Sequence, residues 1–207
     1  MDRFVAGSST VLDIGLSRLT GLMHQRYGIR VDALGFLGDE PIETGRSWWF
    51  DLNLAAHRER WRSDLPGYDV IVMAEVIEHL YVAPSYVLAF LSTLLVQGGR
   101  LIIQTPNAVA LHKRLEMLVG RHPYEPIREA LNDPGHFREY TKRELVGAVQ
   151  AAGFRVEEWR AARYLDYRYV HHDGPPSRGT GALMNAVYRV MPPSLQPGQM
   201  LVAAKVE

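Results

Sequence analysis

The sequence predicts an α/β fold in which a mostly parallel, doubly wound sheet has helices on both faces. Apolar strands alternate with amphipathic helices through most of the 207 residues. The segment YDVIVMA, at 68–74, is apolar through its whole centre. Such a run is typical of a strand that is covered on both faces. The length favours one domain, which we expect to span 1–207.

The strands are predicted from short apolar runs that end at turn residues. These runs lie at 10–14, 29–36, 47–50, 68–74, 100–104, 154–159 and 199–206. A stretch rich in glycine, aspartate and proline, at 38–45, is expected to be the loop between the second and third strands.

Helices are predicted between these strands from apolar stripes and from residues that favour helix ends. The first is expected to follow the first strand and to run to about 27. The others are expected at 54–61, 84–97, 142–152 and 182–191. Pro84 is a favoured first-turn residue, and Gly98 and Gly99 are expected to end that helix in a left-handed cap. Thr141 and Glu144 have the spacing of a capping box at the start of the next helix.

Composition and charge restrict the function classes. Lys plus Arg and Asp plus Glu each total 23, so the formal charge is zero and a general nucleic-acid binder is not expected. The absence of cysteine excludes disulfides, thiolate zinc sites and cysteine nucleophiles. The start MDRFVAGSST does not fit a signal peptide, and no apolar run is long enough for a membrane span. We expect a cytoplasmic protein without nucleic-acid or membrane partners; a homodimer is left open.

Two long insertions leave the predicted sheet at the ends of the fifth and sixth strands, at 106–140 and 163–180. Ligands of open α/β sheets bind at these carboxyl ends, so we expect the insertions to form a substrate lid. The first insertion ends in NDPGHFREYT, a polar and aromatic mixture that is typical of a small-molecule site and also of a helix-entry loop. The run HHD at 171–173 is more typical of a surface loop than of a metal site, and no metal is expected.

Three strand ends carry candidate binding residues. Gly15 permits a sharp turn and a close approach to a ligand, although an ordinary strand-to-helix turn explains it equally well. Asp51 follows the third strand, where a lone aspartate is more often a helix cap than a ligand contact. The segment AEVIEHL brings Glu75, Glu78 and His79 to the mouth of the sheet, either as site residues or as solvated residues of a short helix.

Five motifs, taken in order, resemble those of one enzyme family. They are VLDIG, FDLN, YDVIVMAEVIEHL, LLVQGGRLIIQTPN and GHFREYTKRELVGAVQAAGF. Over about 11–154 the chain is similar to class I S-adenosylmethionine-dependent methyltransferases, in particular to small-molecule enzymes with E-H-L, T-P-N and G-H-x-R-x-Y-T signatures. The resemblance implies a seven-stranded sheet with the last strand antiparallel. It also implies S-adenosylmethionine as cofactor and methyl transfer to a hydroxyl or amine of a small molecule.

The resemblance also assigns roles to matching positions. Cofactor contacts are expected from Asp13, Gly15, Ser17, Asp51, Leu52, Ala74 and Glu75. Asp13 and Gly15 would face the methionine part, and Asp51 and Leu52 would flank the adenine. His79 and His136 would lie toward the acceptor. Because imidazole titrates near neutral pH, His136 is the first choice and His79 the second for the base that deprotonates a hydroxyl. An amine acceptor would need no base.

Two alternatives to this enzyme stay open. The chain has GLSRL at 15–19 instead of a G-x-G-x-G loop, and it lacks an acid at the end of the second strand. These two departures from the family pattern support a non-catalytic methyltransferase-like protein with a degenerate cofactor loop. Binding is nevertheless favoured, because this cofactor carries no pyrophosphate that would need a glycine-lined cradle. A nicotinamide-dependent oxidoreductase would need that glycine-rich turn and an acid about 20 residues later, and Asp32 falls inside a strand.

Overall fold

A computed structural model of the protein describes residues 4–5, 9–36, 38–124, 126–129, 135–162, 187 and 190–206. Eight strands of this part of the chain form one sheet. They are β1 (Val11–Ile14), β2 (Val31–Gly35), β3 (Pro41–Ile42), β4 (Gly45–Trp49), β5 (Tyr68–Ala74), β6 (Leu95–Pro106), β7 (Phe154–Ala162) and β8 (Gly198–Lys205). The α/β class and the mostly parallel sheet are therefore confirmed.

The order of the strands is β3-β4-β2-β1-β5-β6-β8-β7. At the centre, β1 pairs in parallel with β2 on one side and with β5 on the other. The chain thus builds one half of the sheet outward from β1 before it returns to begin the other half. That reversal is the topological switch point, where open α/β sheets bind ligands. The last strand, β8, lies antiparallel between β6 and β7, as predicted.

The prediction of seven strands is wrong by one. The extra strand, β3, lies in the segment 38–45 that was expected to be a loop, and it pairs antiparallel with the start of β4. The first position of β4 requires glycine. A Cβ on Gly45 would lie 2.5 Å from Asp32 Oδ1 and 2.7 Å from the Val31 carbonyl oxygen. Two residues are too few to show an alternating pattern, so this strand could not be predicted from periodicity.

Four α-helices occur in the described part of the chain: α1 (Arg18–Tyr27), α2 (Pro84–Leu94), α3 (Leu111–Leu118) and α4 (Lys142–Ala151). The predicted capping box of Thr141 and Glu144 starts α4. The predicted end of α2 at Gly98 and Gly99 is wrong. Leu95 already pairs with β5, and 96–99 form an irregularity in β6 before regular pairing resumes. Pairing with the neighbouring strand therefore ends the helix before the glycines are reached.

Side chains from the two faces of the sheet enter two separate hydrophobic clusters. Along β5, Ile71 and Met73 belong to the larger cluster with α2 and α4. Val70 and Val72 belong to the smaller cluster with α1. All four are at most 3% exposed. This burial on both faces explains the continuous apolar run of YDVIVMA, as predicted.

The first predicted insertion, 106–140, contains α3 and returns to the sheet. Asn107 and Tyr140 form a parallel bridge, and the Ala108 amide donates to the Tyr140 carbonyl oxygen at 3.1 Å. The second insertion, 163–180, lies outside the described residues, as does most of the helix expected at 182–191. None of the helices in the described ranges combines the length and apolar character needed to cross a bilayer.

The capping box of α4 generates a stability prediction. Thr141 Oγ1 accepts a hydrogen bond from the Glu144 amide at 3.2 Å, and Glu144 Oε2 accepts one from the Thr141 amide at 2.9 Å. We expect Thr141→Ala to lower the free energy of unfolding by about 1 kcal/mol, because the helix loses its cap. Thr141→Ser should keep most of it, since the hydroxyl remains. Urea unfolding measures both variants, and equal losses in the two would contradict the capping role.

Candidate functional site

Two glycines, Gly15 and Gly35, lie next to each other at the ends of β1 and β2, at the switch point of the sheet. Gly15 follows β1 with a φ of 81°, and its amide donates to the Leu34 carbonyl oxygen at 2.7 Å. A Cβ on Gly35, the last residue of β2, would lie 3.5 Å from the Gly15 Cα. We refer to Gly15 and Gly35 as the glycine floor. It lets a ligand approach the backbone closely.

The turn after β1 is held by a buried aspartate, Asp13, which is 1% exposed. The Thr20 hydroxyl donates to Asp13 Oδ2 at 2.6 Å, and the Ser17 amide donates to Thr20 Oγ1 at 3.1 Å. Burial raises the pKa of Asp13 to about 7, while the hydrogen bonds from Thr20 and Ser17 oppose that shift. Asp13 and Ser17 therefore stabilise the turn itself. Their expected contact with a cofactor stays a prediction.

Asp51 caps the short 3-10 helix Leu52–Ala56, which is the alternative that the sequence offered. Its Oδ1 accepts from the Asn53 amide at 2.9 Å and from Asn53 Nδ2 at 3.1 Å. Leu52 is buried in the larger hydrophobic cluster. The Phe50 amide donates to the Gly35 carbonyl oxygen at 2.8 Å, which fixes the end of β4 next to the glycine floor. The expected contacts of Asp51 and Leu52 with adenine stay predictions.

Glu75 is strained. It directly follows Ala74 at the end of β5, and among the described residues it alone combines a side chain with a positive φ, of 55°. Such strain gathers at functional sites and persists where the surroundings impose it. The next side chain, Val76, places its Cγ2 3.8 Å from the position of the Cβ that Gly15 lacks. The strained turn thus joins the end of β5 to the glycine floor.

Glu78 is fully buried in the 3-10 helix Ile77–His79. The Thr105 hydroxyl donates to Glu78 Oε2 at 2.9 Å, whereas Oε1 has no hydrogen-bond partner within the described ranges. Burial raises the pKa of the Glu78 carboxyl, and the nearby charge of Glu75 adds to that effect. A buried oxygen without a donor costs stability, and such groups are rare unless they serve a function.

The two histidines expected near an acceptor meet in space. Their ring centroids are 4.7 Å apart, in an edge-to-face arrangement. His79 Nδ1 lies 2.9 Å from the Gly135 carbonyl oxygen, and the Phe137 amide donates to the Glu78 carbonyl oxygen at 2.8 Å. The GHFREY segment therefore lies along the EVIEHL segment. We refer to Glu78, His79 and His136 as the Glu–His cluster.

Glu139 orients His136. Its Oε1 lies 3.2 Å from His136 Nδ1, and its Oε2 bonds Lys113 Nζ. The three side chains are at most 10% exposed. An ionised carboxylate can only accept hydrogen bonds, so the proton of a neutral His136 ring lies on Nδ1 and the lone pair on Nε2.

Four residues of this site were not predicted: Thr20, Gly35, Thr105 and Glu139. Thr105 and Glu139 stand inside the T-P-N and G-H-x-R-x-Y motifs, which were noticed as family signatures without a role for these side chains. Gly35 ends the second strand, where the sequence was already noted to lack the acid of the family pattern. Thr20, Gly35 and Thr105 act through contacts between separate segments, which spacing along the chain does not reveal. Glu139 contacts His136 three residues away and Lys113 in a separate segment.

Comparison with protein families matches residues 33–158 to the family described as Methyltransferase domain. This range is more than half of the chain. No curated protein matches.

Several solved structures share the fold. An S-adenosylmethionine-dependent methyltransferase from Archaeoglobus fulgidus is 16% identical with a TM-score of 0.60, over 99% of this chain and 89% of that one. Geranyl diphosphate C-methyltransferase from Streptomyces coelicolor, in complex with Mg²⁺, geranyl diphosphate and S-adenosylhomocysteine, is 14% identical with a TM-score of 0.57, over 98% and 74%. The [4+2]-cyclase SpnF is 16% identical with a TM-score of 0.54, over 97% and 76%. At these identities the likeness concerns the fold alone.

The raised pKa of Asp13 generates a pH prediction. Its folded value of about 7 exceeds the ordinary 3.8, so the unfolded chain ionises first as the pH rises. The free energy of unfolding should therefore fall between about pH 4 and pH 7. Asp13→Asn cannot ionise and should gain roughly 2 to 4 kcal/mol relative to the natural protein across that range. Urea unfolding at the two ends measures this difference, and a constant difference would show that folding does not change the pKa of Asp13.

Proposed function

Because the chain belongs to the family of methyltransferase domains, we propose that it transfers a methyl group from S-adenosylmethionine to a hydroxyl or amine of a small molecule. One observation carries the proposal. The glycine floor lies at the switch point of the sheet, and the strained segment 75–77 connects it directly to the Glu–His cluster. A surface of bare backbone and a group of polar, titratable side chains at one sheet edge suit a group-transfer site.

The cofactor is S-adenosylmethionine, as the sequence predicted and as the solved structures of this fold indicate. The residues at the strand ends fit it. Gly15 and Gly35 present backbone without Cβ atoms, so a ligand can lie against them, as an amino acid or a ribose would need to. Oδ2 of Asp51 carries no hydrogen bond among the described residues, which suits a donor on a ribose or an adenine.

When bound, S-adenosylmethionine supplies a methyl group that its sulfonium has already activated, and the transfer leaves neutral S-adenosylhomocysteine. The main task of the protein is therefore placement of the acceptor in line with that methyl group. The lid expected at 106–140 belongs to this proposal, because its last part carries His136 and Glu139.

A hydroxyl acceptor must also lose its proton. Without a metal ion, His136 is our first choice for the base, because Glu139 holds the Nδ1 proton and leaves the Nε2 lone pair to accept one. His79 is the second choice, since its Nδ1 donates to the Gly135 carbonyl oxygen in the same manner. An amine acceptor that is already nucleophilic would need neither.

A second candidate function is a methyltransferase-like protein without methyl transfer. It is favoured by the turn after β1, where the Ser17 amide bonds Thr20 and is therefore used by the protein itself. The cyclase on the same fold shows that this architecture also occurs in enzymes of other chemistry. Cofactor affinity separates a protein that has lost the cofactor from the proposed enzyme.

The glycine floor gives a direct test of cofactor binding. Gly15→Ala should weaken binding of S-adenosylhomocysteine by roughly tenfold or more, since a methyl group on the floor would cost the ligand about 1.4 kcal/mol or more. Isothermal titration calorimetry measures the affinity. Gly28→Ala is the matched control, because Gly28 also has a positive φ of 62° but lies at the end of α1. Gly28→Ala should lower the free energy of unfolding by a similar amount and should leave the affinity for S-adenosylhomocysteine unchanged.

Gly35→Leu provides a second variant that does not rely on a positive φ. Its side chain would extend over the Gly15 Cα and should block the same ligand. If both Gly15→Ala and Gly35→Leu bind S-adenosylhomocysteine like the natural protein, the cofactor does not lie on the glycine floor. If the natural protein itself shows no heat at millimolar ligand, the non-binding alternative is correct.

A further inference from the structure

The Glu–His cluster has the composition of a metal site. Glu78, His79 and His136 each offer one ligand atom, and these atoms lie within 4.8 Å of one another. A cation bound to nitrogen and oxygen at about 2.1 Å would hold its ligand atoms about 3 to 3.5 Å apart. The ligand atoms that lie furthest apart would therefore have to approach each other by about 1.3 to 1.8 Å around an ion.

Both histidine rings are already oriented as metal ligands usually are. His79 Nδ1 faces the Gly135 carbonyl oxygen at 2.9 Å, and His136 Nδ1 faces Glu139 Oε1 at 3.2 Å. These oxygens only accept, so each neutral ring carries its proton on Nδ1 and its lone pair on Nε2. Histidine ligands in metalloproteins typically show this arrangement, with a carbonyl or a carboxylate behind the ring.

The third side chain supplies an independent observation. Glu78 is fully buried, and its Oε1 has no hydrogen-bond donor in the described part of the chain. Its Oε2 is fixed by the Thr105 hydroxyl at 2.9 Å, so the carboxylate is held in place with one oxygen unsatisfied. A cation would satisfy that oxygen.

We propose that Glu78, His79 and His136 bind one divalent transition-metal ion. Two imidazoles with one carboxylate favour ions such as Zn²⁺, Co²⁺ or Mn²⁺ over Mg²⁺ and Ca²⁺, which prefer oxygen ligands. Three protein ligands leave coordination positions for a further ligand, which is the pattern of reactive rather than purely structural sites.

The role of the ion rests on the proposed function. A divalent ion at the cluster would bind the oxygen of the acceptor and lower the pKa of its hydroxyl. Both Nε2 lone pairs would then be ligands, so the hydroxyl proton would pass to solvent instead of to His136. The acceptor oxygen would form its bond to the methyl carbon as the carbon–sulfur bond breaks, and that electron pair would return to sulfur. An oxygen acceptor is thereby favoured over an amine.

Zinc binding can be measured without knowledge of the acceptor. The full chain is freed of metal with a chelator and titrated with Zn²⁺ by calorimetry, and Co²⁺ absorption reports the ligand geometry. We expect one ion per chain. Glu78→Gln, which keeps the side-chain volume and an acceptor for Thr105, and His136→Ala should each weaken binding by roughly a hundredfold or more, and Glu139→Gln by about 10 to 100-fold.

His24→Ala is the matched control. His24 Nδ1 also faces a carbonyl oxygen, that of Ile29 at 2.8 Å, but it lies in α1. This variant should bind Zn²⁺ with unchanged affinity. Thermal melts followed by circular dichroism check that each variant is folded. If His136→Ala does not fold, the affinity of Glu78→Gln for Zn²⁺ decides the result.

Absence of stoichiometric Zn²⁺ binding would overturn the metal site, and so would natural affinity in the Glu78→Gln variant. A titration of the same preparations with S-adenosylhomocysteine separates the two proposals. Cofactor binding without zinc binding overturns the metal site only. Zinc binding without cofactor binding overturns the proposed function and leaves the metal site in place.

Discussion

The candidate site depends on one set of hydrogen bonds between two segments that are far apart in the chain. The Phe137 and Arg138 amides donate to the Glu78 carbonyl oxygen at 2.8 and 3.2 Å, and His79 donates to the Gly135 carbonyl oxygen. Each bond contributes only about 1 kcal/mol to stability. Together, however, they hold the return of a long insertion against the end of β5. They fix His136 relative to Glu78, while the Asn107–Tyr140 bridge joins the end of the insertion to the sheet.

The turn after β1 shows how a site can lack a glycine-rich loop. The amides at the start of a helix need acceptors, and ligands often provide them. Here the protein satisfies part of this need internally, through the Ser17 cap and the bond from Ser17 to Thr20, with Asp13 buried behind them. Close approach of a ligand then depends on Gly15 and Gly35, which lie side by side at the ends of two neighbouring strands.

Two unfavourable features lie within four residues of each other at the end of β5. Glu75 has a left-handed backbone, and Glu78 has a buried oxygen for which the described residues supply no donor. Either feature costs free energy in the absence of a ligand. Their position between the glycine floor and the Glu–His cluster favours a ligand-related role over an accidental one, because packing alone would not select for both. The same segment therefore joins the glycine floor to the Glu–His cluster.

The sequence by itself determined the α/β class, the buried β5, the capping box of α4 and the family resemblance, because each of these depends on neighbours along the chain or on a local periodicity. Local pattern failed for the two-residue β3 and for the end of α2, where pairing with a neighbouring strand overrides the glycines. The sequence identified His79 and His136 as candidate site residues, but it did not show that the two rings lie next to each other. Tertiary structure alone decided that these rings meet, that Glu139 and Thr105 fix their surroundings, and that Asp13 faces Thr20. Apart from the contact of Glu139 with His136, which spans three residues, these contacts join segments whose separation in the chain carries no periodic signal. Only the folded sheet brings such segments into reach.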